Sequence, residues 1–113
     1  MKAAIIGSRG IQAVDFARYL PEGICQVITG GAKGVDTLAE EYARRRGIPV
    51  RLFLPDYPRF GRRAPLVRDR QMVEACDLVI AFWDGVSRGT AYTVNYAKQM
   101  GKPVQLFRMR NPL

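Results

Sequence analysis

The sequence predicts an α/β fold in which helices cover both faces of a parallel β-sheet. Five short runs of apolar residues, each bounded by Gly, Pro or polar residues, alternate with segments whose apolar residues recur every three to four positions. Strands that are apolar on both faces are typical of parallel sheets. Regular alternation of strands and helices also implies right-handed crossover connections. We therefore expect a three-layer α/β/α sandwich.

Five strands are predicted, at residues 3–6, 27–28, 50–54, 78–82 and 104–107. The Rossmann-like arrangement of such strands is a parallel sheet in the order 3-2-1-4-5. The chain has 113 residues, and we find no internal repeat in it. We therefore expect one domain spanning residues 1–113.

Four helices are predicted between the strands, from the apolar spacing within residues 14–20, 35–43, 67–76 and 91–100. The remaining interval, residues 55–65, has the sequence PDYPRFGRRAP and is predicted to be a surface loop. Its three arginines, Arg59, Arg62 and Arg63, alternate with aromatic residues, a composition that suits base stacking and phosphate contact. A solvated loop is the simpler interpretation.

Composition excludes several kinds of chemistry. The chain has no histidine, which excludes Ser-His-Asp and Cys-His catalysis and most zinc sites. The two cysteines, Cys25 and Cys76, lack metal-binding or redox spacing and are predicted to be buried thiols in a reducing cytoplasm. We expect no bound metal, no leader peptide and no membrane span. The net charge of +8 favours an anionic partner.

Glycine-rich turns follow three of the strands, at residues 7–10, 30–34 and 85–90. Ligands of open α/β sheets bind beyond the carboxyl ends of the strands, and amides at a helix N-terminus favour phosphate. The turns lack the G-x-G-x-x-G dinucleotide fingerprint and the Walker A pattern. The candidate ligand-binding residues are Gly7, Ser8, Arg9, Gly30, Gly31, Lys33, Asp36, Arg68, Asp84, Ser87, Gly89 and Thr90.

Several of these residues have a structural alternative that the sequence leaves open. Ser87 and Thr90 either cap the last helix or donate to a phosphate. Asp36 either complements the dipole of the second helix or accepts a hydrogen bond from a ribose or a base. Asp84 either forms a turn before Gly85 or is a catalytic acid or ribose ligand. Arg68 either reaches a ligand phosphate or lies on a solvated face.

Three segments, IIGSRG, ITGGAKGVDTLAEEYA and VRDRQMVEACDLVIAFWDGVSRGTAYTV, resemble the SLOG superfamily over nearly the whole chain. The superfamily includes LOG-type nucleotide phosphoribohydrolases, the Rossmann-like domain of DNA-processing protein A, and small YspA/YpsA-related proteins. The resemblance implies a nucleotide-type ligand, such as an ADP-ribose or NAD-related signal, in the predicted pocket. It also implies self-association, as a homodimer or higher homo-oligomer.

One departure from the LOG pattern concerns catalysis. Thr93 occupies the position of the catalytic Glu of LOG hydrolases, and Asp69 stands where an Asn is expected. A hydroxyl cannot stabilise an oxocarbenium-like centre as a carboxylate can, so Asp84 is the candidate replacement acid.

Three functions stay open at this point. The first is a binding module for a nucleotide, with no further cofactor. The second is a single-stranded nucleic-acid binder, to which the +8 charge and the arginine-rich interval 55–65 point. The third is a nucleotide hydrolase with an altered acid.

Overall fold

The computed structural model describes residues 1–110 and contains one sheet of five parallel strands. The strands are β1 (Lys2–Gly7), β2 (Gln26–Thr29), β3 (Val50–Leu52), β4 (Leu78–Trp83) and β5 (Val104–Arg108). Their order is β3-β2-β1-β4-β5, and every neighbouring pair is parallel. The predicted Rossmann-like sheet in the order 3-2-1-4-5 is therefore confirmed.

The helices that cover the sheet are α1 (Phe16–Tyr19), α2 (Val35–Arg45), α3 (Tyr57–Phe60), α4 (Ala64–Ala75) and α5 (Arg88–Gln99). Of the four predicted helices, α2, α4 and α5 follow their predicted apolar patterns. The first, α1, is a single turn rather than a helix over residues 14–20. None of the described helices has the length and apolar character that crossing a membrane requires.

The prediction of a loop over residues 55–65 is wrong. This interval contains α3 and a 3-10 helix, Gly61–Arg63, which leads directly into α4. The start of α3 depends on capping rather than on apolar spacing, because the carboxylate of Asp56 accepts a hydrogen bond from the amide of Arg59 at 3.2 Å. Pro58 also lies in the first turn, where its missing N–H costs nothing.

Each face of the sheet has its own apolar core. Ile5 and Phe82 pack with Phe16 of α1 and Val35 of α2 on one face. Ile6 and Val79 pack with Met72 of α4 and Val94 of α5 on the other. The central strands β1 and β4 are thus buried on both faces, as the continuous apolar runs predict.

The two cysteines differ in environment. Cys76 is buried beside the α4–α5 core, as predicted. Cys25 is exposed, so the prediction that it is buried is wrong. It directly precedes β2, and its amide donates to the carbonyl of Met1.

The topological switch point lies between β1 and β4. From these adjacent strands the chain proceeds to opposite edges of the sheet, which leaves a crevice beyond their carboxyl ends. Ser8 joins the turns that border the crevice. Its amide donates to the carbonyl of Phe82 at 3.1 Å, and its hydroxyl accepts from the amide of Asp84 at 3.0 Å.

Candidate functional site

A cleft of about 400 Å³ opens at the switch point. It is bordered by the turn after β1, the β2–α2 turn and the first turns of α4 and α5. Eight of the predicted ligand-binding residues line it, namely Gly7, Arg9, Asp36, Arg68, Asp84, Ser87, Gly89 and Thr90. The topology thus brings together residues that are up to 83 positions apart in the chain, from Gly7 to Thr90.

Four predicted residues lie outside the lining of this cleft. Ser8 is buried beneath the turn that it joins to Asp84. Gly30 is buried behind the guanidinium of Arg68, and Gly31 is exposed beside Leu54. Lys33 lies in a separate surface groove of about 310 Å³, which Arg9 also borders.

The side chain of Arg68 hydrogen-bonds to three other residues, Gly30, Phe53 and Asp69. Its side chain is 9% exposed, which excludes the solvated-face alternative. Nη1 donates to the carbonyl oxygens of Gly30 and Phe53, at the ends of β2 and β3. Nε donates to Oδ1 of Asp69 at 2.7 Å. Arg68 therefore holds α4 against the sheet, and these donors are engaged by the protein rather than directed to a ligand.

Gly30 is required by this arrangement. A Cβ at this position would lie 2.5 Å from Nη1 of Arg68 and 2.9 Å from Oδ2 of Asp36. No real Cβ contact is that short, so any side chain at residue 30 would displace the guanidinium or the carboxylate.

Asp36, in the first turn of α2, hydrogen-bonds to the backbone of the preceding β2–α2 turn. Its Oδ2 accepts from the amides of Gly30 and Ala32, at 3.2 and 3.3 Å. These amides are consequently turned towards Asp36 and do not form part of an anion cradle. Burial raises the pKa of Asp36 from 3.8 to about 6, because desolvation outweighs the lowering by the amides and by Arg68.

The raised pKa makes the stability of the fold depend on pH. Asp36 contributes stability that is complete below pH 3.8 and is lost as the pH rises through about 6. We expect this titration to lower the free energy of unfolding by about 3 kcal/mol across that window. Urea unfolding of wild type and Asp36→Asn between pH 4 and 7 measures it.

Asp36→Asn should unfold with a flatter pH profile than wild type, because its amide oxygen accepts from the same two amides without titrating. The matched control is Asp15→Asn, which changes an exposed aspartate whose side chain makes no capping hydrogen bond. The assignment to Asp36 is wrong if both variants keep the wild-type profile.

Asp69 and Thr93 both line the cleft, and their side chains are in contact. Neither was among the predicted ligand-binding residues. Oδ2 of Asp69 lies 3.0 Å from Oγ1 of Thr93, which is also 2.9 Å from the carbonyl of Gly89. Burial raises the pKa of Asp69, although Arg68 and the Thr93 hydroxyl lower it. The available signal was the pair of departures from the LOG pattern at these two positions.

Other lining residues were also missed. Pro65 and Leu66 border the cleft, but they fall within or next to the interval that was predicted to be a loop. Gly10, in the turn after β1, also lines the cleft. Among residues 1–110, no group of three or more His, Cys, Asp or Glu side chains is arranged to hold a metal ion.

The N-terminus of α5 is built by two capping side chains. Ser87 is the N-cap, and its Oγ accepts from the amide of Thr90 at 3.4 Å. Oδ1 of Asp84 accepts from the amides of Val86 and Ser87, at 2.9 and 2.8 Å. The structure thus contains the capping role of Ser87 and the turn-forming role of Asp84.

The amides of the turn after β1 and of the first turn of α5 differ from those of the β2–α2 turn in their hydrogen bonding. Within residues 1–110, no hydrogen bond engages the amides of Arg88 and Gly89 in the first turn of α5, or those of Arg9 and Gly10. Gly89 lines the cleft, has an ordinary negative φ, and has no atom within 4 Å of the place that a Cβ would occupy.

Comparison with known proteins identifies relatives of the chain. Residues 8–60 match the family described as "YspA, cpYpsA-related SLOG family". The "Gene 61 protein" of Mycobacterium phage D29 is 36% identical over 84 residues, which cover 69% of this chain and 67% of the phage protein. No solved structure matches the chain. From the sequence likeness and the parallel 3-2-1-4-5 sheet, we conclude that the chain belongs to the YspA, cpYpsA-related SLOG family.

Proposed function

We propose that this protein binds a nucleotide or a nucleotide-derived ligand in the 400 Å³ cleft, with a phosphate at the N-terminus of α5. Membership of the SLOG superfamily supports a nucleotide-related ligand in general. The observation that carries the proposal is a group of amides that donate to no partner among residues 1–110: those of Arg9, Gly10 and Gly89, which line the cleft, and that of Arg88 next to Gly89.

The chemistry at this end of the cleft suits a phosphate. The amides of Arg88 and Gly89 lie at the positive end of a 12-residue helix. Thr90 and Ser87 add hydroxyl groups, and Arg9 adds a positive charge to the lining. An anion placed here would therefore meet amide and hydroxyl donors, while the Asp84 carboxylate in the same lining is held by the amides of Val86 and Ser87.

Gly89 allows a direct test, because a side chain fits there without a clash. Gly89→Asp places a carboxylate in the first helical turn, where it stabilises α5 but repels a phosphate. We expect it to abolish the thermal stabilisation that AMP, ADP-ribose or NAD gives the wild-type protein, which is about 2.7 kcal/mol at 100 times the dissociation constant.

Gly89→Asn is the matched control, since it has nearly the same shape and no charge. It should keep a larger share of the ligand-induced stabilisation than Gly89→Asp, and without ligand it should unfold at a slightly lower temperature than Gly89→Asp, because it lacks the charge that stabilises the helix end. The proposal fails if no nucleotide at millimolar concentration stabilises the wild-type protein, or if Gly89→Asp responds to nucleotide as wild type does.

A second candidate function is hydrolysis of the N-glycosidic bond of a nucleotide, and the Asp69–Thr93 contact favours it. Thr93 lacks the carboxylate expected at its position, but Asp69 presents one 3.0 Å from the Thr93 hydroxyl. In this reaction, water bonds to C1′ of the ribose while the bond to the base breaks, and the base leaves with the electron pair and gains a proton. A carboxylate beside C1′ would stabilise the cationic transition state.

This candidate transfers the acid role from Asp84 to Asp69, because Asp69 contacts Thr93, the residue at the position of the LOG glutamate. Asp69→Asn should abolish release of free adenine from AMP, whereas Asp56→Asn, at an exposed cap, should not change it. Chromatography of the products measures both. Undiminished release by Asp69→Asn would exclude Asp69 as the acid.

A further inference from the structure

The carboxylate of Asp36 has one oxygen engaged by the protein and one that is not. Oδ2 accepts from the amides of Gly30 and Ala32, whereas Oδ1 takes part in no hydrogen bond among residues 1–110. The residue is only 6% exposed, yet it lines the cleft. Gln26 Oε1 is the one fully buried side-chain oxygen without a partner among residues 1–110, so Oδ1 of Asp36 keeps some contact with the cleft, where a ligand can supply a donor.

Among residues 1–110, no group donates a hydrogen bond to Oδ1 of Asp36. Arg68 is the neighbouring cation, but its Nη1 and Nε donate to two backbone carbonyls and to Asp69. Both oxygens of Asp69 are engaged, one by Arg68 and one by Thr93. Asp36 and Asp69 place two carboxylates beside one guanidinium on this side of the cleft, so it offers hydrogen-bond acceptors and does not favour a phosphate.

We propose that Oδ1 of Asp36 accepts a hydrogen bond from the neutral, donor-bearing part of the ligand, a sugar hydroxyl or an exocyclic amine. The inference rests on the proposed nucleotide-binding function and adds the direction in which the ligand lies. Its phosphate is at the N-terminus of α5, and its nucleoside faces Asp36. Asp36 is thus a specificity-determining residue rather than a phosphate ligand.

Ionisation of Asp36 gives the contact a pH dependence. The pKa of about 6 reflects burial, opposed by the amides of Ala32 and Gly30 and by Arg68, while the charge of Asp69 on α4 raises it further. A carboxylate accepts a stronger hydrogen bond than a carboxylic acid does. The contribution of the contact to affinity is therefore expected to fall as the pH falls through about 6.

The test is isothermal titration calorimetry of wild type with AMP, 2′-deoxy-AMP, 3′-deoxy-AMP and IMP at pH 7.5. We expect one of the three analogues to bind about tenfold more weakly than AMP, because it lacks the donor that meets Asp36. Weak binding by a deoxy analogue identifies a hydroxyl, and weak binding by IMP identifies the amine. Asp36→Asn should weaken the binding of AMP by a similar factor and leave the affinity for that analogue unchanged.

Two controls make the result specific. Asp15→Asn, at an exposed position, should bind all four nucleotides as wild type does. The difference in affinity between AMP and the weak analogue should become smaller at pH 5. The phosphate also titrates with a pKa of about 6, but both nucleotides carry it, so its effect cancels in the comparison. If Asp36→Asn does not fold, the analogues and the pH comparison on wild type decide.

Equal affinities of all four nucleotides for wild type would overturn this inference and leave the proposed function standing. A weak analogue that is weakened further by Asp36→Asn, in the same proportion as AMP, would also overturn it. The absence of binding by every nucleotide would overturn both the inference and the proposed function.

Discussion

Replacement of Arg68 by methionine should lower the free energy of unfolding by about 3–5 kcal/mol, the range found when one partner of a buried ion pair is removed. The variant keeps an unbranched apolar side chain of similar reach, so the loss would come from the guanidinium. Without it, Asp69 loses its 2.7 Å partner, and the carbonyl of Gly30 loses its donor. Urea unfolding monitored by circular dichroism measures the change.

The matched control is Arg70→Met on the same helix. Arg70 is exposed, and its Nε donates to the hydroxyl of Tyr92 at the surface, so we expect a change of less than about 1 kcal/mol. Adding Asp69→Asn to Arg68→Met should recover part of the stability, because it removes the unpaired charge. Equal stability of Arg68→Met and wild type would show that the network does not hold α4 to the sheet.

Gly34→Ala should be the second strongly destabilising change, with a loss of about 3 kcal/mol from overpacking and backbone strain together. Gly34 has a φ of +80°, which L-residues rarely adopt. A Cβ there would also lie 2.5 Å from the carbonyl oxygen of Ser8 and 2.6 Å from that of Arg9. Both oxygens belong to the turn after β1, so the substitution would push apart two turns beside the cleft.

Gly47→Ala separates the two contributions. Gly47 has a similar φ of +72°, but no atom lies within 4 Å of the place that its Cβ would occupy. Its substitution should therefore cost only about 1 kcal/mol, from the backbone conformation alone. Thermal unfolding of the two variants measures the difference. If they lose the same stability, close approach of the turns contributes nothing.

The sheet could be predicted because its strands carry their own signal. β1 and β4 are buried on both faces, so their apolar runs are continuous and end at breakers. α3 could not be predicted in this way. Its four residues depend on the cap that Asp56 provides, and none of them is buried, so no apolar period marks it.

The site could be predicted as a location but not as a set of contacts. Parallel topology places the turns after β1 and β4 at one edge, whichever side chains they carry. The contact between Asp69 and Thr93, by contrast, joins residues 24 positions apart on different helices and depends on how α4 packs against α5. The inward direction of the Gly30 and Ala32 amides likewise follows from the burial of Asp36, which local sequence does not show.

The hydroxyl of Ser8, which accepts from the amide of Asp84 at 3.0 Å, has a consequence for the kinetics of recognition. It links the two turns across the crevice before any ligand arrives, so the gap between them has a set width. Little conformational entropy is then lost there on association, and no loop closure has to precede it. We expect a ligand to bind this site without a prior conformational change, at an association rate set by diffusion and charge.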